Sequence, residues 1–475
     1  MFDDEFNEDG YFGGNMEELL SVYHSLKRGE HIRFLDDQEF EWIIDYFYQN
    51  GQEKEALVAC ELALVHHPFS SEFSILKAEL LYQAQKYRQA ISVLDEVDSK
   101  EQYILDAVIL RSEILVAQLK FDQAAAHLEA MSKVFTGRDQ IEILLELADV
   151  YDDNEQLEAV FDTLKRILEL DPNCDEALHK ICYWADFADK QEESVELHQK
   201  IINQYPYSSL AWFNLGSAFQ GLKLFEKAID AYEFCVAIDE KFEIAYRNMA
   251  EAYIRLKWYD HAIDALERNL ELGKPEDIIY EAIGYCYERK KQYSRARTYY
   301  LESLKLNPLD DSVYFKTGNT YAKDRDWDNA LTCYLKALEL ETENPQYGLA
   351  VAECFVNLGQ EEKALGFYLH TLNLKPNYKK AWLSFLKALY IFGFPEELLA
   401  QLKQGNAITD LGADYYYFEA LGLFAIGKTK EAMIKLEDGL QENTRKIKII
   451  EELQPDLLQR KSVVDLITKY KKPSK

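Results

Sequence analysis

The segment Gly422–Thr429 reads GLFAIGKT and satisfies G-x-x-x-x-G-K-[ST]. In that pattern backbone N–H groups wrap a phosphate and a lysine neutralises it. The loop needs small residues between its glycines and a strand before it. Here Leu423, Phe424, Ala425 and Ile426 intervene and read as the apolar face of a helix. DRDWDN at 324–329 alternates Asp324, Asp326 and Asp328 as a calcium loop begins. Such a loop continues with Gly and carries Glu at its twelfth position, where this chain has Asn329 and Leu335. The nine His are dispersed apart from His66-His67, and the seven Cys (Cys60, Cys174, Cys182, Cys235, Cys286, Cys333, Cys354) form no CxxC. Neither set has zinc spacing. No catalytic, cofactor-binding or metal-ligating residue is therefore assigned, and the chain is expected not to be an enzyme.

The elements that carry these residues follow a period. Pro172, Pro206, Pro308 and Pro376 are separated by multiples of 34. Ala56, Ala90 and Ala124 are 34 apart, and Ala228, Ala262, Ala296, Ala330, Ala364 and Ala432 fall on the same spacing after a shift of two residues between 124 and 172. A period of this length means stacked copies of one supersecondary unit. Within a copy such as 209–240, Trp212, Leu215 and Phe219 mark one amphipathic helix and Ile229, Tyr232 and Val236 a second, with a turn at Gly221-Leu222-Lys223. Gly216 and Ala228 are small where the two helices must cross closely. Gly427 occupies the inter-helix turn, as Gly51, Gly359 and Gly393 do, which accounts for GLFAIGKT without a phosphate. One pair cannot bury its apolar face alone and must stack on neighbours.

This pattern resembles the tetratricopeptide repeat family, which places a large residue at position 4, Leu-Gly at 7–8, aromatics at 11 and 24, Ala at 20 and 27 and Pro at 32. The copy from 209 matches with Trp212, Leu215, Gly216, Phe219, Ala228 and Tyr232, and the copy from 277 with Tyr280, Gly284, Tyr287, Ala296, Tyr300 and Pro308. The copy from 311 matches with Tyr314, Gly318, Tyr321, Ala330, Tyr334 and Ala337. The resemblance implies an all-α fold, a right-handed superhelical solenoid of antiparallel helix pairs. Some eleven to twelve repeats cover 37–446, degenerate from 379. A flexible acidic tail is expected at 1–15, an N-terminal capping helix at 16–36, and C-terminal capping helices with a basic tail at 447–475, Pro455 opening the last.

The net charge of −31 argues against nucleic acid and anionic membrane as partners. It is uneven: residues 1–200 hold 17 basic and 44 acidic side chains against 36 and 40 in the remainder. No apolar run is long enough to span a membrane. The odd, scattered cysteines suit a reduced, cytoplasmic protein.

In the family, positions 2, 5, 6, 9, 12 and 13 of the first helix face the concave groove. The resemblance places there, in the first half, an acidic section of Glu41, Asp45, Glu79, Glu113, Glu142, Glu146, Asp149, Asp152 and Asp153. A mixed section follows: Lys180, Tyr183, Phe213, Asn214, Arg247, Asn248, Arg255, Tyr285, Arg289, Phe315, Lys316, Asn319 and Lys323. Asn214 and Asn248 share position 6, and an asparagine amide can pair with the backbone of an extended peptide. The carboxylate clamp of some family members is not carried over, because Phe213, Glu281 and Phe315 stand where it wants Lys. The expected function is a non-catalytic adaptor or scaffold that takes an extended protein segment in a bipolar groove. The alternatives are a self-assembling structural subunit and, further off, an enzyme with an unrecognised site. Combined Asn214→Ala, Arg247→Glu and Asn248→Ala is expected to release a captured partner without unfolding the array, checked by affinity capture beside circular dichroism.

Overall fold

The computed structural model describes residues 15–30, 33–98 and 103–470. The expected acidic tail lies outside them but for Asn15, as do Lys471, Lys472 and Lys475 of the expected basic tail. Among the described residues there are 27 α-helices, two short 3-10 segments and no strand. The chain divides into two compact units, one ending at Glu240 and the other beginning at Lys241.

In the first unit, helix Asn15–Lys27 precedes six antiparallel pairs, Asp37–Gln49 with Glu53–His66 through to Ser209–Gly221 with Phe225–Ile238. The opening helix is shorter than the expected 16–36: it stops at Lys27, just before Gly29 turns the chain at φ +80°. The second unit holds six more pairs, from Glu243–Arg255 with Tyr259–Leu272 to Ala413–Ala425 with Thr429–Glu442. The copies from 379 onward, degenerate in sequence, form pairs as regular as the rest. Pro455 opens a 3-10 turn, Pro455–Gln459, rather than the last helix, which is Lys461–Tyr470.

Short polar side chains start several first helices. Ser70, Ser208 and Asp310 accept from the N–H three residues on, and Asp36 forms a capping box with Glu39. Pro345 and Pro395 sit in a first turn, where no N–H is missed. The turn inside each pair puts one residue in the left-handed region. Gly51, Gly359, Gly393 and Gly427 do so freely, but Gln85, Leu119, Glu155, Asp189, Lys223, Lys257, Lys291 and Arg325 hold the same place with a Cβ. The two extra residues fall between Phe121 and Ile141: helix Phe121–Met131 is shortened, and Arg138–Asp153 is lengthened at its start after Gly137 at φ +68°.

Each pair is locked where position 24 of the second helix meets position 8 of the first. A Cβ added at Gly216 would stand 2.5 Å from the Tyr232 ring, and one at Gly284 or Gly318 2.6 Å from Tyr300 or Tyr334. Where position 24 is Leu, as at Leu94, Leu164 and Leu266, position 8 is Ala78, Ala148 and Ala250. Where it is Cys60, position 8 is Ile44. From 379 the close approach moves: Gly405 abuts Trp382, where a Cβ would meet the indole at 2.8 Å, and Gly439 abuts Tyr417 at 3.1 Å. Alanines at position 20, such as Ala228 and Ala296, are fully buried.

Gly284→Ala is expected to destabilise its pair by about 1–3 kcal/mol, with Tyr300→Leu in the same chain recovering part of the loss. Hydrogen exchange across residues 277–306 reads the local opening. Leu119→Gly, which relieves a left-handed Cβ on an exposed leucine, is expected to stabilise its pair by about 1 kcal/mol by the same measurement.

Candidate protein-binding surfaces

In the first unit, position 9 of four successive first helices carries Asp45, Glu79, Glu113 and Asp149. The common crossing of the pairs brings these acids into one line, joined by Glu146, Asp152 and Asp153. Burial lifts the Glu79 carboxyl above its usual range, with Glu113 and Asp45 adding repulsion. Asp45 and Glu113 are raised by burial. Burial, then Glu113 and Asp149, push Glu146 up to about 7. Asp152 is raised by burial and by Asp153 and Asp149, and Glu41 by burial and by Glu72, Asp37 and Asp45. Glu142 is exposed on the same helix as Glu146. At the far end Lys180 Nζ lies 2.8 Å from Asp149 Oδ1 and 3.0 Å from Glu176 Oε1. Beside it Tyr183 and Phe187 are exposed, with ring centroids 4.4 Å apart.

Asn214 does not face a groove. It is buried, and its amide donates to the Leu178 carbonyl at 2.7 Å and lies 3.3 Å from His198 Nε2. His198 fills position 24, the slot Tyr232 and Tyr300 occupy elsewhere, and burial lowers its pKa to about 4. The ring is therefore neutral. Nδ1–H donates to the Ser194 carbonyl at 2.8 Å, which leaves Nε2 to accept from Asn214. This buried network corrects the expectation that Asn214 reads a peptide backbone, and Asn214→Ala would strip partners from buried polar groups. His198 went unassigned in the sequence; its place in an aromatic column was the signal. Phe213 is half-buried, 5.8 Å from the Tyr232 ring.

In the second unit position 13 of three successive first helices carries Arg255, Arg289 and Lys323, all exposed. Arg255 Nη2 is 3.0 Å from Glu251, and Arg289 lies 3.4 Å from the Tyr259 hydroxyl and 6.0 Å over the Tyr285 ring. Arg247 is exposed, 3.7 Å from Glu276, and Asn248 is half-buried. Three of the expected residues serve contacts between neighbouring helices. Lys316 pairs with Glu281, Asn319 Oδ1 accepts from the Tyr334 hydroxyl at 2.8 Å, and Phe315 packs 4.8 Å from Tyr347.

The motif-like segments fall into the repeat. Gly422–Ala425 end helix Ala413–Ala425, Gly427 is the left-handed turn residue at φ +80°, and Lys428 lies 3.9 Å from Glu431. Asp326 caps helix Trp327–Leu340 and Asp324 pairs with Arg297 at 2.6 Å. Burial raises the thiols of Cys60, Cys235, Cys286 and Cys354 to about 12, far from nucleophilic range. Among the described residues no helix is long and apolar enough to cross a membrane.

Family models for the tetratricopeptide repeat match residues 210–242, 278–310 and 316–346. The model described as anaphase-promoting complex, cyclosome, subunit 3 matches residues 49–131. No curated protein matches the chain. Among solved structures, YrrB, described as a tetratricopeptide repeat protein with an unusual peptide-binding site, is 20% identical and covers 39% of this chain and 96% of its own, with a TM-score of 0.36. The C-terminal part of a repeat-containing protein from Cytophaga hutchinsonii is 18% identical over 54% of this chain and 98% of its own, TM-score 0.41. A chain of the Cut9–Hcn1 hetero-tetramer of the anaphase-promoting complex is 13% identical over 88% and 94%, TM-score 0.35.

The raised carboxylates set a pH dependence. A carboxyl with a higher pKa folded than unfolded binds extra protons in the native state between the two values, so stability falls as pH rises through that window. For Glu146 the window runs from its ordinary 4.5 to about 7. Glu146→Gln is therefore expected to stabilise the full chain at about pH 8 by about 1–2 kcal/mol, allowing for solvent screening, and to change little at about pH 4. Thermal melts at the two pH values check it.

Proposed function

We propose, from the premise that the chain is a tetratricopeptide repeat protein, that it is a non-catalytic scaffold holding segments of other proteins on the inner faces of its first helices. The observation that carries the reading is the line of carboxylates in the first unit. Burial, with repulsion from neighbouring acids, makes Glu79 and Glu146 costly to ionise, and a Lys- or Arg-bearing segment laid along them would offset that cost. The partner of this surface is accordingly basic. In the second unit the row Arg255, Arg289 and Lys323, with Tyr285 beside it, suits a segment bearing carboxylates and an apolar anchor. Each surface makes many modest contacts, and the rigid repeat spaces them. Free, buried thiols support a reducing compartment, the cytoplasm.

The reading that the chain is a self-assembling structural subunit of a larger complex is favoured by one observation, the match of residues 49–131 to a family named for a subunit of a complex. Sedimentation on dilution separates the two: a monomer supports the scaffold, and a persistent homo-oligomer supports the subunit.

Two full-length variants test the scaffold. Glu79→Gln with Glu113→Gln and Glu146→Gln neutralises the first surface, and Arg255→Glu with Arg289→Glu and Lys323→Glu reverses the second. Each is expected to lose its own subset of the proteins captured by the wild type, with helicity unchanged. Retention of every partner by both folded variants contradicts the proposal.

A further inference from the structure

The inner side of the last two first helices is covered. By the register of the array, Lys387 and Tyr390 of helix Lys379–Ile391 and Tyr417, Phe418, Leu421 and Phe424 of helix Ala413–Ala425 hold inner positions. Tyr417 packs on Gly439 of its own pair, but Leu421 and Phe424, at positions 9 and 12, are apolar and only 0 and 9% exposed, where the same positions of the other copies are half-buried or exposed. Over these two lies the chain's own segment from Asn443 to Gln459, whose Ile447, Ile450 and Leu457 are buried in the same cluster.

The polar contacts match those of a ligand in a groove. Glu452 pairs with Lys387, the Tyr390 hydroxyl donates to Gln454 Oε1 at 2.5 Å, and the Tyr417 hydroxyl donates to the Asn443 carbonyl at 3.0 Å. Lys446 Nζ reaches the buried Asp414 at 2.8 Å. The segment has little structure of its own: a 3-10 turn at Thr444–Ile447, a six-residue helix at Lys448–Leu453 and a second 3-10 turn after it. A helix that short does not persist alone, because the nucleation cost of its first turn is never recovered. Its shape is imposed by the surface beneath it, as in helix-in-groove recognition.

We infer that the inner face of the last two repeats is a binding surface for a short amphipathic helix with apolar residues at i and i+3 and an acid at i+5, and that the chain fills it in cis with residues 443–459. The tether gives the segment an effective concentration of about millimolar, so the surface is closed at rest. A partner carrying the same pattern opens it by displacement. The inference rests on the inner face being the binding face.

The test uses the full chain and a labelled synthetic peptide of residues 443–459. Ile450→Ala with Glu452→Lys in the chain weakens the cis segment and sets a lysine against Lys387. The variant is expected to bind the wild-type peptide about tenfold more tightly than the unaltered chain does. A peptide carrying Glu452→Lys is expected to bind the variant about tenfold less tightly than the wild-type peptide. Equal binding of the peptide to both chains, or no binding to either, overturns the inference. So does loss of hydrogen-exchange protection in helices 379–442 of the variant, which would make the segment part of the fold. These outcomes are read on different helices from the variants at 79–146 and 255–323, so failure here is distinguishable from failure of the scaffold reading.

Discussion

The structure depends on one contact repeated down the chain, the close crossing of the two helices in each pair. In three copies a ring at position 24 lies on a glycine at position 8: Tyr232 on Gly216, Tyr300 on Gly284 and Tyr334 on Gly318. The sizes at the two places trade against each other, so the helices keep their distance while residue types change: Ala250 with Leu266, Ile44 with Cys60. Interiors are packed too densely for either member to grow alone. Where position 8 is Leu386 and position 24 Leu402, Gly405 under Trp382 supplies the close approach instead. That substitution explains how a copy degenerate in sequence keeps a regular geometry.

A constant crossing has a consequence for charge. If every pair is set alike, the same position of each first helix points the same way, and residues 34 apart form rows. Asp45, Glu79 and Glu113 make one row, and Arg255, Arg289 and Lys323 another. Burial first, and then repulsion between neighbouring acids, raises the carboxylates of Glu79 and Glu146 in the free protein. Folding does not need such a row, since the crossings and the buried alanines hold the pairs.

The period, the turn, the small residues at the crossings and the place of GLFAIGKT at an inter-helix turn were legible in the sequence because each repeats in register. What was not legible depends on depth or on non-repeating chain. Asn214 shares position 6 with Asn248, but only the fold reveals that it is buried with its amide spent on Leu178 and His198. Lys316 and Asn319 read as groove residues and instead join neighbouring helices, because a side chain at a helix–helix seam finds its nearest partner there. The C-terminal segment has no repeat to betray its position, and its Pro455 reads as the opening of a last capping helix. The two extra residues were placed only between 124 and 172 by counting, and helix ends at Met131 and Arg138 localise them.

The central claim is that the carboxylate row of the first unit is a receiving surface for a basic segment. It is tested most directly by calorimetric titration of a lysine-rich peptide into the full chain, in two buffers of different protonation enthalpy at neutral pH. Glu146 beside the row, its carboxyl pushed up to about 7, is partly protonated when free and must ionise to pair, so binding should release protons, make the measured heat depend on the buffer, and strengthen from about pH 6 to about pH 8. Heats identical in the two buffers, with an affinity indifferent to pH, would contradict the account.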